Sequence, residues 1–212
     1  MTDNDMQIQQ ALVDVRRAYR IAVAFQQRIN EVFQRFHETM EYEGFTFKWW
    51  GPNYYATPMT VNYAPFRKWA WDMFPGFSMG AEWLGPESAP VRRIYLSLET
   101  DTGFEKRGGE PDPSAFKTRP EDAKTELWAG LWTSDTAGPD WAAAWEDLKP
   151  RYLEGRWDPA QYALPEPIRW SAGGSSGTYS AYGCDVAELL DGPDVERVLL
   201  DPVRRWVRGS PA

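Results

Sequence analysis

A chain of 212 residues, 42% hydrophobic and 25% charged, has room for one core, or one plus an appendage, and too much apolar content for wholesale disorder. A net charge of −8, with no basic run beyond the pairs Arg16-Arg17, Arg92-Arg93 and Arg204-Arg205, argues against nucleic-acid binding, which relies on a basic patch to displace counterions. One cysteine, Cys184, and one histidine, His37, exclude an intramolecular disulfide and Cys- or His-rich metal sites, so no metal or cofactor is expected.

The N-terminus, Met-Thr-Asp-Asn-Asp, lacks the basic and apolar regions of a signal peptide, and no run reaches the ~20 apolar residues of a membrane span. A cytoplasmic location is expected. Asp3 to Glu43 contains neither Gly nor Pro. Its apolar positions Ile8, Leu12, Val15, Tyr19, Ala22, Ile29, Phe33, Phe36 and Met40 follow a four-three spacing broken only by Gln26, which predicts one long helix closed by Gly44. The stretch Ile21–Phe25 is apolar on every side and should be buried all round. Such a helix is about 60 Å long at 1.5 Å per residue. A compact domain of this size is roughly 40–45 Å across, so part of the helix should project. The aromatic-rich Ile29–Met40 stretch is the expected core contact. Ile8, Leu12, Val15 and Tyr19 are the expected contact for a protein partner or a second copy of the chain.

Phe45 to Trp50 reads as a strand ended by Gly51-Pro52-Asn53. From Tyr54 to Pro90 the chain is aromatic and proline-punctuated without clean periodicity, apart from a short helix around Phe66 to Met73. Val91–Thr100 alternates as a strand. Glu126–Thr133 is apolar on both faces and should be a central strand. The connection between them, 102–125, is long enough to suggest function or mobility. Asp140–Leu153 is helical after Gly138-Pro139. Ile168–Ser171 and Thr178–Val186 should pair across a Gly-Ser-rich loop, and a last helix, Asp194–Val207, should bend at Pro202. The expected fold is α+β: a mainly antiparallel sheet of three to five strands, the long N-terminal helix and two or three further helices. The helix 1–44 and the body 45–212 are read as one domain overall.

Three constellations could carry chemistry. Pro111-Asp112 followed by Asp122-Ala123-Lys124 resembles the motif of the PD-(D/E)xK nuclease superfamily, which implies two carboxylates holding Mg²⁺ and a lysine orienting water. Glu99, Asp101 and Glu105 gather where a strand meets the long loop, where paired acids could bind a cation or serve as acid and base. Trp49, Trp50, Tyr54, Tyr55, Trp69 and Trp71 form an aromatic region able to stack on a ligand. Each has a plainer reading, solvated charge for the acids and core packing for the rings. Cys184 reads as a small buried residue. The leading expectation is therefore a non-enzymatic protein-interaction factor of the immunity-protein, antitoxin or accessory-subunit kind. A metal-dependent nuclease or hydrolase and an aromatic-lined ligand-binding module are the alternatives.

Overall fold

The structure is a computed structural model that describes residues 3–52, 78–86, 90–103, 118–154 and 167–209. The expected short helix at 66–73, with Tyr54, Tyr55, Trp69, Trp71, Glu105 and Asp112, lies outside the described residues. The chain divides into two compact units, Met1–Thr39 and Met40–Ala212.

The first unit belongs to α1 (Asp3–Tyr42), an unbroken helix of 40 residues, as the absence of Gly and Pro demands. Beyond its end Gly44 takes φ 83°, and the amides of Gly44 and Phe45 return to the carbonyls of Glu41 and Met40, closing the last turn.

The second unit is built on one antiparallel sheet in the order β1-β2-β3-β4-β6-β5. The strands are β1 (Thr46–Pro52), β2 (Ser78–Leu84), β3 (Val91–Glu99), β4 (Glu126–Ser134), β5 (Ile168–Ala172) and β6 (Ser175–Asp185). Six strands replace the three to five read from sequence. The one missed outright is β2, whose residues are buried almost without alternation, so Ser-Met-Gly-Ala-Glu-Trp-Leu shows no two-residue period. Gly173 and Gly174, at φ 59° and 76°, make a two-residue turn between β5 and β6 in place of the six-residue loop expected. Two successive left-handed residues suit the twist of the flanking strands.

β4 is interior, between β3 and β6, and both of its faces are covered. On one face Trp132 joins Tyr179, Ala181 and Trp170 under Ala144 and Leu148 of α2 (Trp141–Glu154). Asp140 caps α2, its Oδ1 accepting from the amides of Ala142 and Ala143 at 3.0 Å, which puts Pro139 just outside the helix instead of inside its first turn. On the other face Leu127, Ala129 and Leu131 lie in register with Leu98, Leu96 and Ile94 of β3, all buried.

The C-terminal helical run touches β4 and β6. It is one turn (Gly192–Asp194), a π-helical segment (Val195–Leu200) and α3 (Asp201–Val207), in place of the one helix bent at Pro202 expected from sequence. The cause is Pro202. It has no N–H for the carbonyl four residues back, that of buried Val198. The Tyr182 hydroxyl from β6 donates to that carbonyl at 2.6 Å. Its ring meets Trp206 of α3 edge-on, with centroids 5.7 Å apart.

Candidate functional site

Along α1 the apolar stripe changes character. Ile29, Val32, Phe36 and Met40 have no exposed surface. Towards the N-terminus, Ile8, Leu12, Val15 and Tyr19 are exposed by 50, 46, 50 and 67%. The expectation that Ile21–Phe25 is buried all round is overturned: Ile21 and Val23 are 70 and 59% exposed, Ala22 and Ala24 are exposed, and Phe25 alone is half-buried. Apolarity on every side states what needs cover, and the described residues leave Ile21 and Val23 uncovered. Scattered exposed apolar side chains are ordinary, but Ile8, Leu12, Val15 and Tyr19 recur along one helix face and form a contiguous stripe. Around them Asp14 accepts from Gln10 and pairs with Arg17 along the helix, exposed contacts worth a few tenths of a kcal/mol.

A second exposed apolar group lies on β1, which is at one edge of the sheet among the described residues. Phe47, Trp49 and Trp50 are 39, 45 and 65% exposed. The register slips between Phe47 and Trp49, so Phe47 faces Trp83 while Trp49 faces Glu82. Phe47 packs edge-on to Trp83 at 5.6 Å. The Trp49 ring lies along its own strand over Gly51, so close that a Cβ there would come within 2.7 Å of it. Of the six aromatic residues singled out from sequence, these two tryptophans are the ones the described residues include, and both keep substantial exposed ring surface.

Asp101 and Asp122 occupy turn positions. Asp101 accepts from the Gly103 amide at 2.8 Å. Asp122 sits in the single turn Pro120–Asp122 and pairs with exposed Arg119 at 2.8 Å. Lys124 lies in extended chain, its amide donating to the Thr102 hydroxyl and its carbonyl accepting the Thr102 amide. Glu99 accepts from the Ser78 hydroxyl at 3.2 Å. The sheet also sets Glu99, Glu126 and Asp185 in one cross-strand row, with Glu126 buried. The sequence reading missed this row because the partners of Glu126 are 27 and 59 residues away, with no local signal. Among the described residues no group of three His, Cys, Asp or Glu side chains is arranged to hold a metal ion.

Cys184 is buried on β6, and its thiol is pushed up to about 12 by burial first and then by Glu188, Asp185 and Glu126. It therefore stays protonated and unreactive at neutral pH. Beside the β5–β6 turn a depression of about 320 Å³ is lined by Asp147, Arg169, Trp170, Ser171, Ser176 and Gly177. Its carboxylate already accepts from the Ser171 amide at 3.1 Å. Among the described residues no helix is long and apolar enough to cross a membrane.

No curated protein and no solved structure matches the chain. The profile of the PM0109 family matches residues 5–201, from the first turns of α1 to the start of α3, and the chain belongs to that family.

Proposed function

We propose that this protein is a non-enzymatic protein-interaction factor, of the immunity-protein, antitoxin or accessory-subunit kind, that binds through the N-terminal half of α1. The observation that carries this reading is the exposed stripe Ile8, Leu12, Val15 and Tyr19 on an unbroken helix. Helix-in-groove recognition uses such anchors, spaced three and four residues apart. Of the acids of the nuclease alternative, Asp101 and Asp122 are engaged in local turn and ion-pair contacts.

The test is Leu12→Asp combined with Val15→Asp. Both positions are about half exposed, so the far-UV spectrum and melting temperature should stay near wild type while stoichiometric complex formation is lost. Global unfolding of the variant, or turnover by the wild type that requires Mg²⁺ or Mn²⁺, would overturn the reading.

The exposed rings of Trp49 and Trp50 favour a second reading, a stacking surface for a planar ligand. Quenching of tryptophan fluorescence that disappears in Trp50→Ala would support it, and unchanged quenching would remove it.

A further inference from the structure

The pattern of the exposed stripe also indicates what covers it. We infer that the occupant is a second copy of this chain, with the two α1 helices antiparallel and centred between Val13 and Asp14. This rests on the interaction reading above and narrows it to one partner.

Among antiparallel arrangements, the stripe is self-complementary in that register. With the centre between Val13 and Asp14, Ile8 of one copy lies opposite Tyr19 of the other, and Leu12 opposite Val15, giving four layers that are apolar on both sides. Sliding one heptad in one direction sets Ile8 against Gln26. Sliding in the other sets Val15 against Asp5. In the favoured register Gln26 falls beyond the four apolar layers, so the one polar residue of the stripe marks where pairing ends.

Charge makes the same choice. Residues 16–28 carry Arg16, Arg17, Arg20 and Arg28 and no acid, on a chain whose net charge is −8. A parallel, in-register pair would set the arginines of both copies at the same levels. The antiparallel pair sets Arg16, Arg17 and Arg20 beside Ala11, Gln10 and Gln7 of the other copy, which are uncharged. Like charges brought together would cost affinity, and this register avoids them.

The area is sufficient, though small. Ile8, Leu12, Val15 and Tyr19, with exposed Ala11, Ala18 and Ala22, leave on the order of 500–600 Å² per helix. Two copies then bury about 1,000–1,200 Å², at the lower bound for a specific interface, so the dimer should dissociate in the micromolar range.

The test uses the full chain in two measurements. Light scattering behind size exclusion should show the mass rising from 24.3 kDa toward twice that value between about 5 and 300 μM. Leu12→Ala, which keeps helix propensity, should raise the dissociation constant about tenfold or more. Nitroxide labels on Gln10→Cys and, separately, Ala24→Cys then read the direction, buried Cys184 staying unlabelled. Copies of residue 10 are offset by about 10 Å along the antiparallel axis and copies of residue 24 by about 30 Å, at 1.5 Å per residue. The label distance at position 24 should therefore exceed that at position 10 by about 20 Å. Equal distances, a dimer indifferent to Leu12→Ala, or a monomer at every concentration would overturn the inference. A monomer that still captures a different protein, with capture lost in the Leu12→Asp, Val15→Asp variant, would overturn it and leave the interaction reading standing.

Discussion

Replacing Tyr182 by Phe removes one oxygen and leaves the ring in place against Trp206. That oxygen donates to the Val198 carbonyl, which Pro202 cannot serve. Without it a carbonyl in a buried turn loses a donor, and an unsatisfied buried polar group costs about 1–3 kcal/mol. For a domain of this size that is a fall in melting temperature of about 3–10 °C. The assay is thermal and urea unfolding followed by far-UV circular dichroism, on a double-mutant cycle with Pro202→Ala. Alanine at 202 supplies an amide to the same carbonyl, so Tyr182→Phe should cost at least about 0.5 kcal/mol less in that background. The hydroxyl also sets a pH signature. Burial first, with the negative charge of Glu188 adding to it, raises the Tyr182 pKa above its ordinary value of 10.0. Its contribution is fully present below pH 10 and fades as pH climbs through the raised folded value, a loss the Phe variant should lack. A cost below about 0.5 kcal/mol, or the same cost in both backgrounds, would refute the idea that Tyr182 substitutes for the missing amide.

Three further outcomes follow from the same structure. Arg208 donates to Glu43 at 2.5 Å and holds its carboxyl below the usual 4.5. Glu43→Gln should then cost about 1 kcal/mol or less at pH 7, because Arg208 is over half exposed, and the difference from wild type should vanish as pH falls through the depressed folded value. Gly177→Ala would place its Cβ 1.9 Å from the Thr133 carbonyl oxygen and 2.9 Å from the Trp170 ring; backbone cannot yield there, so the variant should lose more than about 3 kcal/mol or fail to express in soluble form. Leu148→Ala, at a position with no exposed surface in the cluster beneath α2, should cost about 2–5 kcal/mol, while Leu190→Ala, 78% exposed, should melt within a degree or two of wild type.

What could be read from the residues was whatever leaves a local period. The Gly- and Pro-free run over 3–42 showed α1 and its glycine stop. Alternation showed β3, and two apolar faces placed β4 inside the sheet. What could not be read was set by neighbours distant in sequence. β2 is covered on both faces and shows no alternation. Ser175, Ser176 and Gly177 look like loop residues but are strand, because pairing with Ala172, Ser171 and Trp170 decides their conformation. The Val198 carbonyl of the π-helical segment is met by a hydroxyl 16 residues away. On the surface, the exposed stripe from Ile8 to Tyr19 was visible as a pattern, whereas the exposure of Ile21 and Val23 was misread, since composition does not say whether cover is present.

The register slip at Lys48 bears on solubility. An edge strand can template the addition of another chain, and β1, at an edge of the sheet among the described residues, adds three partly exposed aromatic rings. The bulge breaks the regular spacing of the backbone groups midway along the strand and turns an exposed lysine outward at the break. Deleting Lys48 would restore an even ladder from Phe47 to Trp50 and remove the charge in one step. A chain so altered should fold and then precipitate, converting a guarded rim into the seed of a fibril.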